Sequence, residues 1–214
     1  MRKWLVILLL LLPSICSAGS ARRFMGVNKL TYTIATFYYT GSVQTYTIPT
    51  VAYTSPTRAS AGAVLTVYGA GGGGGIDDCD ATVALAGDPG SMVQSSTLTG
   101  ITGTELSIYV GKGGSGVSGA GGAFSSYTNG FDGSGTGPAI GGGGGGSSAV
   151  VVGGTLKIEA RGGNGGNGSD GPGGAGGGAN TFTSSGTGGT GGMINICSSG
   201  YSGGNGWATI EYWK

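Results

Sequence analysis

Histidine is absent from the 214-residue chain. Without it the sequence cannot build a Ser-His-Asp or Cys-His catalytic arrangement or the common histidine-containing zinc sites. Paired carboxylates for glycoside hydrolysis are the remaining alternative. However, Glu105, Glu159 and Glu211 stand in strand patterns that predict a plain solvent-facing row. We therefore predict a protein that is not an enzyme and needs no cofactor.

Charge is also scarce, at 9% of the residues, with ten basic and nine acidic side chains. Nucleic acids and anionic membranes attract clustered Lys and Arg. Apart from Arg2 and Lys3, the one pair of adjacent basic residues is Arg22-Arg23, which we interpret as part of a solvated terminus. The sparse and balanced charge therefore argues against nucleic acid or an anionic membrane as the main partner.

Long apolar runs are missing except at the N-terminus. Arg2 and Lys3 precede the apolar run 4–12, and Cys16-Ser17-Ala18 offers small residues for cleavage. This pattern predicts a secretory signal peptide over residues 1–18, too short in its apolar part to span a bilayer. We expect a secreted or cell-surface protein with no membrane span after cleavage.

Cysteine is limited to three residues, and Cys16 would leave with the signal peptide. An even pair in an exported chain predicts one disulfide, Cys79 to Cys197. Two reduced, buried thiols are the alternative.

Glycine, by contrast, is abundant, at 53 residues. No sustained Gly-X-Y repeat is present, which excludes collagen. The glycine tracts alternate with segments of strand-like composition or period-two alternation, which predict β-strands. These segments are 30–39, 43–48, 63–68, 105–110, 155–161 and 207–213. The turn residues Thr40-Gly41 predict that the first two form a β-hairpin.

The glycine tracts predict close approach of extended backbones. A polyproline II helix has three residues per turn and no internal hydrogen bonds, so its backbone groups need neighbours or water. A packed bundle of such helices meets that need, with glycines facing inward. Long flexible loops are the alternative.

Four stretches, taken in order, resemble a family of bacterial and phage glycine-rich domains. They are Thr45–Pro49 with Ala63–Gly75, Leu106–Gly114, Gly141–Ser148 with Leu156–Gly163, and Gly203–Tyr212. The resemblance covers residues 45–214. It implies a small β-sandwich that carries packed polyproline II-type glycine helices. The family includes adhesins at phage tail-fibre tips, and some receptor tyrosine kinases have a similar extracellular region. Its shared part is a scaffold, so no functional residue is carried over.

Two motifs suggest ligands but do not predict sites. Gly69-x-Gly71-x-x-Gly74 matches the dinucleotide fingerprint formally, but acidic residues follow where a phosphate-binding helix should begin. Asp77, Asp78 and Asp80 are weak calcium candidates with oxygen ligands. Their spacing does not match an EF-hand, and we interpret them as a solvated loop.

Residues 19–48 lie mostly outside the resemblance and are rich in tyrosine, which suits interfaces and sugar binding. Ordinary strand aromatics are the alternative. We predict that this segment attaches the domain to a partner chain or another copy.

Three functions fit the sequence. The first is an adhesive or receptor-binding module for a cell-surface or extracellular protein or glycan, with candidate binding loops at 124–138 and 179–187. The second is a self-assembling fibre or matrix protein. The third is an ice-binding protein, which the irregular spacing of the threonines weakens.

Overall fold

A computed structural model describes residues 29–76, 84–123, 126–135, 140–169, 171–177 and 200–214. Over these residues the chain forms β-strands and no helix, which confirms the predicted all-β class. The strands are β1 (Tyr32–Tyr38), β2 (Gln44–Thr47), β3 (Ala63–Tyr68), β4 (Met92–Leu98), β5 (Glu105–Tyr109), β6 (Ser148–Val152), β7 (Thr155–Ala160) and β8 (Trp207–Trp213).

The strands form two four-stranded antiparallel sheets. The first sheet has the order β1-β8-β3-β4 and the second the order β2-β5-β6-β7. Both termini of the described chain meet in the first sheet, because β1 pairs with β8 along its whole length, from Tyr32 opposite Trp213 to Tyr38 opposite Trp207.

One hydrophobic core is shared by the two sheets. In β8 the alternation predicted from the sequence is present, with Ala208, Ile210 and Tyr212 buried and the intervening residues half-exposed. From the second sheet, Leu106 and Ile108 are fully buried in the same cluster. The period-two patterns of these strands therefore mark their inward faces.

The predicted hairpin between the first two strands is wrong. β1 pairs with β8 and β2 pairs with β5, so the chain crosses from one sheet to the other after Tyr38. Phe37 and Tyr46, one from each strand, meet edge to face with ring centroids 5.5 Å apart. Each strand thus contributes an aromatic ring to the contact between the two sheets, and residues 29–48 are part of the fold.

A real hairpin joins β6 to β7 at Gly153-Gly154. Both glycines have positive φ, 53° and 77°, which a two-residue hairpin turn requires. The sequence interpretation missed β6 because Ser148–Val152 is almost entirely buried and does not alternate. It also missed β4, where serine, threonine and glutamine dilute the strand pattern.

Backbone hydrogen bonds connect the glycine tracts with a period of three residues. Successive N–H groups of residues 69–76 donate in rotation to carbonyls of three stretches, 85–91, 140–146 and 201–204, at 2.8–3.1 Å. Residues 141–147 repeat the arrangement, donating in rotation to 128–134, 163–166 and 112–115. Each of these two tracts is therefore held on several sides by its neighbours.

The close approach of the tracts depends on glycine. A methyl group added to Gly142 would lie 2.6 Å from the carbonyl carbon of Gly73, and one added to Gly73 would lie 2.5 Å from that of Ser115. Both distances are far below ordinary van der Waals contact, so a side chain there would force two backbones apart.

Candidate functional site

The outward face of the first sheet carries a concentration of aromatic side chains. We call this the outer aromatic face, and it consists of the residues of β1, β8 and β3 that point away from the core: Tyr32, Ile34, Thr36, Tyr38, Val64, Thr66, Tyr68, Trp207, Thr209, Glu211 and Trp213. The strand register arranges them in rows across the sheet, because paired residues share a face.

Aromatic rings occupy the two ends of this face. At one end Tyr38, Trp207 and Tyr68 form a row, and the rings of Tyr68 and Trp207 stack with centroids 4.0 Å apart. At the other end Tyr32 packs against Trp213 with centroids 4.8 Å apart. The ends are separated by the length of β8, about 20 Å at the usual rise per residue.

Between the aromatic ends lie a threonine row and a row that contains the one charge of the face. The threonine row is Thr36, Thr209 and Thr66, and the next row is Ile34, Glu211 and Val64. Thr66 is only 3% exposed, so the accessible hydroxyls of its row are those of Thr36 and Thr209. In β1 the side chains remain well exposed, at 54% for Ile34 and 67% for Tyr38. The face therefore offers apolar area, hydroxyl groups and one carboxylate to a partner.

Glu211 holds the Tyr32 side chain in place at one end of the outer aromatic face. Its carboxylate accepts hydrogen bonds from the Tyr32 hydroxyl and from Thr209 Oγ1. The hydrogen bond to Glu211 raises the pKa of the Tyr32 phenol above its ordinary value, and burial and the negative charge add to this. The Tyr32 phenol therefore holds its proton more tightly than a free tyrosine does.

A pair of tyrosines supports the face from beneath. Tyr212 alternates with Glu211 and Trp213 along β8, points into the core, and lies 2.7 Å from Tyr46 of the opposite sheet, hydroxyl to hydroxyl. Burial and this hydrogen bond raise the pKa of Tyr46 to about 12. The contact fixes β8 against the second sheet and so holds the strand that carries both tryptophans.

The structure does not bring Glu105, Glu159 and Glu211 together. Glu211 lies in the first sheet, whereas Glu105 and Glu159 lie in the second, with β6 between their strands. The prediction that all three face solvent is wrong for Glu159, which is 6% exposed and accepts a hydrogen bond from Thr128 Oγ1 at 3.1 Å. The register of β7 shifts opposite Val150 and Val151, which breaks the simple alternation.

Several predicted sites lie outside the described residues. They are the calcium candidates Asp77, Asp78 and Asp80, the predicted disulfide Cys79 to Cys197, the signal peptide 1–18, and the candidate binding loop 179–187. Among the residues that are described, no cluster of three metal-ligating side chains is present.

Two further sequence candidates are part of the glycine network. In the formal dinucleotide fingerprint, the backbone N–H groups of residues 69–76 donate to other backbone segments, so they are not available to a phosphate. In the candidate loop 124–138, Phe131 and Ser134 donate to the carbonyls of Ala175 and Pro172. The described part of this stretch, residues 126–135, is therefore anchored to the network through its backbone, although many of its side chains are exposed.

Two polar grooves of about 380 and 440 Å³ lie on the glycine region. In the first, the Asn164 side chain donates to Asp88 and accepts from Arg161 and from the Gly176 N–H. In the second, Asn205 accepts from the Gly113 N–H. These side chains hold backbone segments together, which makes the grooves weaker candidates than the outer aromatic face.

Comparison with protein-family models and with curated proteins gives no match for this chain. Within the described ranges, the structure also contains no helix with the length and apolarity needed to cross a membrane.

Proposed function

We propose that this chain is an exported, non-catalytic surface protein that binds an extracellular macromolecule, a protein or a glycan, through the outer aromatic face. One observation carries the proposal: a surface with Tyr32, Tyr38, Trp207 and Trp213 is displayed on a sheet whose other side packs against the core. Tyr and Trp are the residues that dominate binding energy at protein interfaces.

We also infer that the scaffold is a β-sandwich carrying polyproline II-type glycine helices. Two observations support this: the two sheets share one core, and the hydrogen bonds of residues 69–76 and 141–147 rotate among neighbours every three residues. A helix with three residues per turn presents its N–H groups in that order. Such a scaffold is stiff, which lowers the entropy cost of presenting a binding face.

Substitution of the stacked pair tests the proposal. The fluorescently labelled full-length chain is incubated with whole bacterial cells, animal cells and immobilised polysaccharides, and its bound fraction is compared with that of Trp207→Ala and Tyr68→Ala. We expect at least a tenfold loss of affinity from each, because a buried aromatic contact at an interface is worth about 2 kcal/mol or more.

Phe131→Ala is the matched control, because Phe131 is 64% exposed and lies in the glycine region, away from the sheet face. Its binding should match that of the unmodified chain. Equal binding by Trp207→Ala, with an unchanged melting temperature, would count against the outer aromatic face as the binding site.

A further inference from the structure

The open edge of the first sheet is a second place where the chain can meet a partner. β1 is the terminal strand of the order β1-β8-β3-β4, and within the described residues no strand pairs with its other side. An unpaired edge offers a row of backbone N–H and C=O groups to another strand.

The hydrogen bonds around β8 determine which groups of β1 face that edge. Thr31 and Lys214 exchange both backbone hydrogen bonds, at 2.7 and 3.0 Å, while Trp213 exchanges its own with Tyr53 on the opposite side of β8. Bonded and non-bonded pairs alternate along an antiparallel ladder. The backbone groups of Tyr32, Ile34, Thr36 and Tyr38 therefore point away from β8.

The Tyr38 carbonyl accepts a hydrogen bond from Gln44 Nε2 at 2.8 Å, so this end of β1 already has a partner. The edge that remains open is centred on Ile34 and Thr36. Their side chains lie on the outer aromatic face, so the open backbone groups and the exposed side chains belong to the same residues.

β1 lacks the features that protect the other sheet edges. It has seven residues, a regular register with β8, and no charged residue, proline or glycine. In contrast, β2 has four residues and is followed by Pro49, β7 contains Lys157 and a register shift, and the pairing of β4 with β3 is irregular. Short length, lysine, proline and bulges are the means by which natural proteins block edge pairing.

We propose that β1 pairs antiparallel with β1 of a second copy of this chain, about a two-fold axis at Ala35. In this register Ile34 of each copy lies opposite Thr36 of the other, and Tyr32 lies opposite Tyr38. The backbone groups of Ile34 and Thr36, which form the open part of the edge, then meet as hydrogen-bonded pairs, as an antiparallel ladder requires. The Tyr38 carbonyl, which already accepts from Gln44 Nε2, is not needed for this pairing. No charges oppose each other, since β1 has none.

This register favours a second copy of the chain as the partner at the β1 edge, because β1 pairs with itself without bringing like charges together. The pairing joins the two first sheets into one of eight strands and places both outer aromatic faces side by side. A two-fold contact uses the same surface on both copies and closes at the dimer. The resulting bivalence would raise the avidity for any multivalent ligand.

A charge-exchange experiment on the full-length chain tests the register. Across the two-fold axis the Thr36 side chains of the copies are diagonal neighbours, about 7 Å apart. Thr36→Lys or Thr36→Glu alone should weaken dimerisation at least tenfold in sedimentation velocity, because like charges meet. An equimolar mixture of the two variants should restore a heterodimer, which a general loss of stability cannot do.

Val117→Lys is the control, because Val117 is 64% exposed and lies in the glycine region, away from the edge. It should dimerise like the unmodified chain. The proposal is overturned if the unmodified chain stays monomeric up to concentrations on the order of 1 mM, or if Thr36→Lys dimerises normally. A segment of the same chain at this edge, or a different protein as its partner, would give the monomeric result.

Cysteine cross-linking gives an independent test of the axis. Ala35→Cys should form an intermolecular disulfide on mild oxidation, because residue 35 meets its own copy at a closely spaced pair. Thr33→Cys should not, since the two copies of residue 33 are four residues apart along the strands, about 13 Å. Equal cross-linking by both variants, mapped by mass spectrometry, would overturn the register. Neither the charge-exchange test nor the cross-linking test measures ligand binding. A negative result in either therefore leaves the proposed function unaffected.

Discussion

At the scale of single residues, the glycines have two different roles. Gly142 is required because of close backbone approach, with the carbonyl carbon of Gly73 at 2.6 Å from the position of an added methyl group. Gly154 is required because of its φ of 77°, and nothing lies within 4 Å of such a methyl group. Substitution by alanine should therefore lower the free energy of unfolding by different amounts at Gly142 and Gly154.

We expect Gly142→Ala to lower the free energy of unfolding by about 3 kcal/mol, because overpacking must displace a backbone bonded to several neighbours. Gly154→Ala should cost about 1 kcal/mol, the penalty for a left-handed alanine. In thermal unfolding this predicts losses of about 9 °C and about 3 °C. Similar melting temperatures for the two variants would contradict the packed arrangement of the glycine tracts.

The Tyr46–Tyr212 pair predicts how stability depends on alkaline pH. An unfolded tyrosine titrates near pH 10, whereas the pKa of Tyr46 in the folded protein is raised to about 12. A folded pKa above the unfolded value gives stability that is fully present below about pH 10 and is lost as the pH rises through about 12.

Tyr46→Phe should cost about 1 kcal/mol at pH 7, where it removes the hydrogen bond to Tyr212. It should also flatten the loss of stability between about pH 10 and about pH 12, measured by urea unfolding. Tyr201→Phe, at an exposed position, is the control and should follow the unmodified chain. Parallel pH curves for Tyr46→Phe and the unmodified chain would argue against the coupling.

At the scale of elements, Ser148 joins three strands. Its buried hydroxyl, at the start of β6, accepts from the Gly111 N–H at 2.9 Å and donates to the Tyr68 carbonyl at 2.6 Å. Gly111 closely follows β5 and Tyr68 ends β3, so the contact lies where both sheets meet the glycine tracts.

Ser148→Ala should therefore leave the buried Gly111 N–H without a partner and take one of its donors from the Tyr68 carbonyl, at a cost of about 2 kcal/mol. Urea unfolding measures the loss, and a small apolar side chain at position 148 adds no steric strain that would confuse the result. Ser118→Ala, in an exposed turn with local hydrogen bonds, should change stability by less than about 0.5 kcal/mol. If both variants are equally stable, water replaces the hydroxyl and the junction is less important than we infer.

Local patterns predicted some elements well and others not at all. Strands β3, β5 and β8 follow strand-like composition or alternation that is visible in the sequence, and their bounds agree to within a residue. β6 is buried on both faces and lacks such a pattern, although Gly153-Gly154 between two apolar runs is a hairpin signal. The outer aromatic face could not be predicted, because it depends on the pairing of β1 with β8, which local patterns do not encode.

At the scale of the whole molecule, the N-terminal segment is structural as well as exposed. The sequence predicts that residues 19–48 attach the domain to a partner, and deletion of residues 22–44 removes most of this segment. The structure indicates more, because β1 covers the free side of β8 and Phe37 packs against the core. We expect the shortened chain to fold poorly or to melt at least 10 °C lower, since several kcal/mol of packing is lost. A deletion variant with unchanged thermal unfolding would show that β1 is dispensable.

The shared core also predicts that the sheets and the glycine tracts unfold together. In a chain without residues 1–18, the remaining tryptophans, Trp207 and Trp213, both lie in β8, so their fluorescence reports on the first sheet alone. Amide hydrogen exchange of Gly142 to Gly146 reports on the tracts.

Because residues 69–76 continue directly from β3 and bond to those glycines, the tracts cannot separate while the first sheet stays intact. Fluorescence and exchange should therefore give the same free energy of unfolding, as a two-state domain requires. A lower value from exchange would mean that the glycine tracts open separately, and a stiff scaffold for the binding face would then be untenable.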